Sequence, residues 1–183
     1  MNDLPAELDR LQDLLRDFAR RGRISVYDTI VAFGFEVLDP PLNWDYHCTP
    51  VNGLTFGATG GDGIHLSVLT SGPAGGAVVL TAPPSDTDNV VLGADFASFL
   101  RLGYFSCFGW LEALAFDPLA GDTEYRDSVQ VTKMTAQLRD ALRSAFALQP
   151  IPDVTKHLAQ LQRHYLPHVV LPDREDWDAR HGV

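Results

Sequence analysis

The chain has 183 residues, of which 45% are hydrophobic and 21% are charged, and its formal net charge is -10. This length suits one domain with a substantial core, and the composition argues against global disorder. No apolar run approaches the roughly 20 residues that a membrane-spanning helix needs. Residues 1–23 mix acids, arginines and leucines and lack the apolar stretch of a secretion signal, so we expect a cytoplasmic protein.

Two helices are predicted in the N-terminal region. The first has Asp3 as a cap and Pro5 in its first turn, and Gly22 ends it. Its apolar face comprises Leu4, Leu8, Leu11, Leu15 and Phe18. The second runs from a weak capping box at Ser25 and Asp28 to Gly34. Its inward residues are predicted to be Val26, Ile30 and Phe33.

A β-meander is predicted between residues 42 and 93, after Pro40 and Pro41 open an extended segment. The β-prone runs span residues 51–58, 64–70, 77–82 and 89–93. Glycine, proline and aspartate separate these runs, which is typical of turns. Because the connections are short, successive strands are expected to be antiparallel.

Helical periodicity returns after the meander. Two short helices are predicted to meet near Gly103, and longer ones cover about 131–147 and 153–165. The order of elements predicts an α+β fold, in which a largely antiparallel sheet packs against N-terminal and C-terminal helices. We assign residues 1–172 to a single domain and residues 173–183 to a polar, mobile C-terminal tail.

The glycine-rich stretch at residues 57–63 could suggest a phosphate-binding loop. A Walker loop needs Lys and then Ser or Thr after its last glycine, but Ile64 and His65 follow Gly63. A dinucleotide-binding loop needs a helix next, whereas the following residues alternate like a strand. The stretch is therefore interpreted as a hairpin turn in which Asp62 and Gly63 adopt positive φ.

Few other groups of residues suggest chemistry. His65 lacks a nucleophile beside it and is expected to be half-exposed on a strand. His47 and Cys48 are expected to point to opposite faces of an extended segment, so they do not form a ready nucleophile and base. Neither Cys48 nor Cys107 lies in a CxxC pair, and the C-terminal histidines lack an acidic ligand on the same face. We therefore predict no catalytic residue, no metal site and no cofactor.

The charge distribution is uneven. Residues 24–100 contain eight acids and no Lys or Arg. Because Lys and Arg make most phosphate contacts, this block is a poor candidate for binding nucleic acid. An acidic field would attract a basic partner, although solubility alone could also explain it.

The meander is similar to the SUKH superfamily, which includes bacterial immunity proteins and cell-wall assembly regulators. The resemblance covers about residues 24–116 and rests on three stretches of sequence. They read FGATGGDGIHLSVL (56–69), AVVLTAPP (77–84) and NVVLGADFASFLRLG (89–103). The resemblance implies an α+β fold with a curved, largely antiparallel sheet backed by helices. It also implies direct binding of a partner protein, often a nuclease toxin.

Three functional hypotheses follow. The first is a non-enzymatic interaction module, immunity-protein-like, that binds a basic protein such as a toxin. Its candidate partner-binding residues are Asp45, Asp62, Asp86 and Asp88. The second is a small-molecule-binding protein or hydrolase with a pocket near Asp45, His47, His65 and Cys48. The third is a regulatory or structural oligomer that uses the aromatic helices. No membrane partner is expected.

Overall fold

The computed structural model describes residues 4–85, 88–117 and 132–182. The helices of these residues are α1 (Leu4–Gly22), α2 (Val26–Phe33), α3 (Phe96–Leu100), α4 (Leu111–Phe116), α5 (Lys133–Phe146), α6 (Val154–Tyr165) and α7 (Arg174–His181). The strands are β1 (Glu36–Leu42), β2 (Gly53–Ala58), β3 (His65–Leu69), β4 (Val78–Thr81) and β5 (Asn89–Gly93). The fold is a single α+β domain, which confirms the predicted class. In the described ranges, no helix has both the length and the apolar character required to cross a membrane.

The five strands form an antiparallel meander in the order β1-β2-β3-β4-β5. Irregularities interrupt the register of three strand pairs, which favours a curved and twisted sheet. The four predicted strands are confirmed, but β1 was not predicted. Its Pro40 and Pro41 lack an N–H, and proline is tolerated in a sheet mainly at an edge, which is where β1 lies.

Both faces of the sheet are buried, since every residue of β3, β4 and β5 is buried. Because successive side chains of a strand point to opposite faces, the buried side chains divide into an apolar set and a polar set. The apolar face bears Leu66, Val68, Leu80, Val90 and Leu92. The polar face bears Thr55, His65, Ser67, Thr81 and Asn89, which pair across the strands.

A cluster of phenylalanines forms the centre of the core. The Phe99 ring from α3 lies 5.0 Å from the Phe108 ring and 5.9 Å from the Phe35 ring, measured between centroids. Phe56 of β2 joins from the sheet, with its centroid 5.9 Å from Phe99. Most of these contacts are tilted or edge-to-face, which favours aromatic pairs beyond simple burial. The dense aromatic series in the sequence is therefore largely core.

Helix α1 buries the predicted leucine face, and α2 begins and ends as predicted. The Ser25 hydroxyl accepts a hydrogen bond from the Asp28 N–H at 2.9 Å. Gly34 ends α2 with φ 107°, and an added Cβ there would lie 2.3 Å from the Phe108 carbonyl carbon. Only glycine meets both conditions. Val26 departs from the prediction, because it is 60% exposed while Phe33 is buried. The predicted Asp3 cap lies outside the described residues.

One side chain, that of Gln162, covers the middle of the outer edge of β5. The Gln162 side-chain oxygen of α6 accepts a hydrogen bond from the Val91 N–H at 2.7 Å. Its amide nitrogen donates to the Val91 carbonyl oxygen at 2.8 Å. One glutamine thus pairs with the strand backbone as another strand would, which protects the edge from pairing with a second protein.

The C-terminal segment packs back against the loop before β2. The Val51 N–H donates to the Val170 carbonyl oxygen at 2.8 Å, and the Val170 N–H donates to the Asn52 side-chain oxygen at 3.2 Å. Residues 174–181, predicted as part of a tail, form α7, which Asp173 caps. This segment therefore packs beside the loop at residues 43–50.

Candidate functional site

The chemistry-bearing residues meet where the loop at residues 43–50 lies over the polar face of the sheet. The loop closes as a turn, in which the Thr49 N–H donates to the Tyr46 carbonyl oxygen at 3.0 Å. The turn explains why the expected extended conformation, with His47 and Cys48 on opposite faces, is wrong. A turn brings neighbouring side chains toward the same side, whereas a strand separates them.

Hydrogen bonds connect this loop to the polar face. The Thr81 hydroxyl donates to the Asn89 side-chain oxygen at 2.8 Å. The Asn89 amide nitrogen then donates to the Cys48 carbonyl oxygen at 3.0 Å. Because these groups are buried, each bond also removes the cost of an unsatisfied polar atom. These two hydrogen bonds, from Thr81 to Asn89 and from Asn89 to Cys48, therefore fix the position of Cys48 relative to the β4–β5 hairpin.

His65 is fully buried on the polar face, so the half-exposed position predicted for it is wrong. Its Nδ1 lies 2.8 Å from the Gly63 carbonyl oxygen and its Nε2 lies 3.2 Å from the Thr49 hydroxyl. Burial lowers the pKa of His65, so the neutral ring is favoured. A neutral ring donates from Nδ1–H to the Gly63 carbonyl oxygen and accepts from the Thr49 hydroxyl at Nε2. These contacts give His65 a structural role in holding the loop.

The glycine stretch forms the β2–β3 hairpin turn, as predicted. Asp62 has φ 47° and Gly63 has φ 71°. Two conditions favour glycine at position 63. Its φ is positive, and a Cβ added there would lie 2.6 Å from the Tyr46 hydroxyl oxygen. The Tyr46 ring also stacks on His65, with centroids 5.8 Å apart. The turn therefore supports the 43–50 loop through backbone shape and close packing.

His47, Cys48 and Asp88 bring three possible ligand atoms within 4.8 Å of one another. Cys48 is buried, and the other two residues are partly buried. Burial, with a smaller contribution from the Asp88 charge, raises the pKa of Cys48 to about 11. A thiol with this pKa stays protonated near neutral pH, so Cys48 is not an activated nucleophile. Sequence reasoning missed the cluster because Asp88 comes from a different turn, 40 residues along the chain.

Asp45 is held by the C-terminal helix. Its carboxylate accepts a hydrogen bond from the Trp177 indole N–H at 3.2 Å and lies 3.5 Å from Arg180. It also lies 3.2 Å from His181 Nε2, and the His181 ring stacks on Trp177 with centroids 4.0 Å apart. Trp177 in turn contacts the His47 ring edge-to-face. The carboxylate therefore has partners within its own chain.

The remaining predicted acids occupy different surroundings. Asp62 is exposed at the β2–β3 turn, while Asp88 is partly buried beside Cys48. Asp86 lies outside the described residues. The geometry thus gives the predicted partner-binding residues different roles, although their contribution to binding stays a prediction.

An exposed apolar patch on α2 was missed by sequence reasoning. Tyr27 is 73% exposed and Val31 is 61% exposed, and the two lie one turn apart on the helix. A groove of about 240 Å³ runs beside this helix, between α1 and β1. Its lining includes Glu36 and Asp39, and also Arg16 of α1, whose guanidinium lies 3.1 Å from the Asp39 carboxylate. The signal was weak because α2 is short and mostly apolar, so several inward faces were compatible with the sequence.

Two larger cavities lie elsewhere. One of about 650 Å³ separates the start of α1 from the β3–β4 connection, and one of about 520 Å³ lies between α1 and α5. Neither is lined by His47, Cys48 or His65, so neither is the pocket proposed for the small-molecule hypothesis.

Comparisons with models of protein families, with curated proteins and with solved structures found no match to this chain. The resemblance to the SUKH superfamily therefore stays a prediction that rests on the quoted residues.

Proposed function

We propose that the chain is a non-enzymatic, cytoplasmic interaction module, similar in role to bacterial immunity proteins. It binds a basic protein, such as a toxin, through an acidic surface, and it uses neither nucleic acid nor a membrane as a partner. The observation that carries the proposal is the exposed apolar patch on α2. This helix belongs to the stretch of sequence at residues 24–100, which contains eight acids and no Lys or Arg. The resemblance to the SUKH superfamily points in the same direction.

The α2 face has the composition of a protein-binding surface. Tyr27 and Val31 supply an apolar centre, and aromatic residues are enriched at the energetic centres of interfaces. Asp28 is exposed next to Tyr27 on the same helix, and Glu36 is exposed at the groove beside α2, so both add negative charge to this side of the helix. A partner that presents an apolar residue surrounded by Lys or Arg would complement both features, and the charge would accelerate its association.

The competing hypotheses have less support. A hydrolase using Cys48 and His65 would need accessible, activated groups, whereas both residues are buried and the Cys48 thiol is protonated. An oligomer using the aromatic helices would need several exposed rings, whereas Phe96, Phe99 and Phe108 pack in the core and, among the described residues of that series, Phe116 alone is exposed. We therefore favour partner binding through α2.

The test is a binding assay against a panel of basic toxin domains at low salt. Tyr27→Lys combined with Val31→Lys places two positive charges in the apolar centre without touching the capping contacts of α2. Asp9→Asn combined with Asp13→Asn is the matched control, because it changes the net charge equally at exposed sites on α1. We expect one panel member to bind the parent protein and the control, and to lose at least about tenfold in affinity for the α2 variant, as for an interface centre.

Two results would overturn the proposal. One is that no basic toxin domain binds the parent protein. The other is that the α2 variant and the α1 control bind equally well. Asp62→Lys, measured alongside, determines whether the exposed β2–β3 turn belongs to the same surface, since binding then weakens and becomes less salt-dependent.

A further inference from the structure

The cluster of His47, Cys48 and Asp88 combines three different metal-binding groups at one point. Their ligand atoms, an imidazole nitrogen, a thiol sulfur and a carboxylate oxygen, lie within 4.8 Å of one another. The α2 patch contains none of these residues, so the cluster is separate from the proposed partner-binding centre on α2.

This donor set suits zinc better than the other common divalent cations. Zinc accepts sulfur, nitrogen and oxygen ligands in a tetrahedral arrangement, whereas calcium and magnesium prefer oxygen alone. Bond lengths of about 2.0–2.3 Å place neighbouring tetrahedral ligands roughly 3.5 Å apart. Side-chain movements of about 1 Å would bring the three groups from their present spacing to that geometry.

The surrounding contacts hold the ligands in place. Asn89, next to Asp88, donates its amide to the Cys48 carbonyl oxygen at 3.0 Å, so the two ligand-bearing segments are joined directly. The His47 ring packs edge-to-face against Trp177, with centroids 5.6 Å apart. These contacts limit the movement of the ligand-bearing segments, and in natural metal sites the orientation of ligands by surrounding groups raises the affinity for the metal.

A cation close to Cys48 is already paired. Arg174 is close enough to affect the Cys48 thiol, but its guanidinium Nε lies 2.9 Å from the Asp178 carboxylate. The Asp88 carboxylate adds a negative charge next to the sulfur. A divalent cation would therefore relieve the repulsion between a Cys48 thiolate and Asp88.

We propose that His47, Cys48 and Asp88 form a zinc site with three protein ligands and water in the fourth position. The ion would join the 43–50 loop to the β4–β5 hairpin. This arrangement links two segments that otherwise meet through hydrogen bonds such as that between Asn89 and Cys48.

The experiment loads the full chain, purified in chelator and reductant, with zinc or cobalt ions. We expect one zinc ion per chain by calorimetry and a higher midpoint of thermal unfolding, since a ligand that binds the folded state stabilises it. Cobalt should give the charge-transfer absorption of a thiolate ligand. Cys48→Ser should abolish that absorption, and Asp88→Asn or His47→Gln should weaken zinc binding by at least about tenfold.

Cys107→Ser is the matched control, because Cys107 is the second buried free thiol and lies outside the cluster. It should retain the cobalt absorption and the zinc affinity. Absence of stoichiometric zinc binding in the folded parent protein would overturn the proposal. So would binding that survives in Cys48→Ser, or that is lost in Cys107→Ser while circular dichroism shows that variant folded.

Discussion

On the apolar face of the sheet, side chains such as Leu66 and Leu80 belong to the same core as the cluster of phenylalanine rings around Phe99. On the polar face, His65 and Asn89 form hydrogen bonds to the 43–50 loop. Both faces are buried, but burial acts differently on each. Apolar contacts stabilise in proportion to area and need no exact partner, whereas a buried polar group needs its own partner or it destabilises the fold.

The largest effect is expected on the apolar side. Phe99→Ala removes a fully buried ring that contacts Phe35, Phe56 and Phe108, and should lower the free energy of unfolding by about 3–5 kcal/mol. Urea denaturation followed by circular dichroism measures the change. Phe116→Ala is the control, because that ring is 55% exposed, and it should shift stability by less than about 0.5 kcal/mol. Equal losses in the two variants would contradict the location of the core.

A smaller effect, specific to the polar face, is expected in the free energy of unfolding when the pH is lowered. Burial lowers the pKa of His65 below its usual 6.5, so the unfolded chain binds the proton more readily. The stabilisation is therefore complete above about pH 6.5 and is lost progressively as the pH falls below that value. One histidine can contribute a slope of at most about 1.4 kcal/mol per pH unit.

Urea denaturation at several pH values measures this slope. His65→Gln should reduce it, but should not abolish it, because burial also lowers the pKa of His157 on α6. Phe99→Ala should leave the slope unchanged, since that ring does not titrate. If His65→Gln retained the full slope of the parent protein, the buried neutral histidine would not be its source.

The smallest effect is expected where α7 meets the 43–50 loop. Asp45→Asn weakens contacts with Arg180 and His181, but Asp45 is 57% exposed and water screens the pairs. We expect a loss of about 0–1 kcal/mol that decreases at high salt. Hydrogen exchange should show faster exchange in α7 and unchanged exchange in β3. Faster exchange throughout the sheet would instead make α7 an essential part of the core.

The sequence predicted the meander well because its signals are local. Short β-prone runs bounded by turn residues indicated β2 to β5, and Asp62 and Gly63 were predicted to supply the positive φ of the β2–β3 turn, as they do. It did not predict β1, because Pro40 and Pro41 normally argue against a strand and are acceptable here only at the sheet edge.

The candidate site was predicted less well. Alternation placed His65 opposite Ile64, but it could not reveal that the second face is also covered and that His65 is buried. The cluster of His47, Cys48 and Asp88 depends on a turn in one loop and on the position of a distant hairpin. Neither feature has a signature in the neighbouring residues.

By itself, then, the sequence determined the α+β class, most strand and helix positions, and the cation-free acidic block. These depend on neighbours within a few residues, where backbone preference and side-chain periodicity act directly. Tertiary structure alone decided that Trp177 contacts Asp45 across 132 residues and that Asn89 meets Cys48 across 41. Such contacts depend on how whole elements pack. The hydrophobic effect is non-directional and scales with the apolar area buried, so it does not specify which distant residues come into contact.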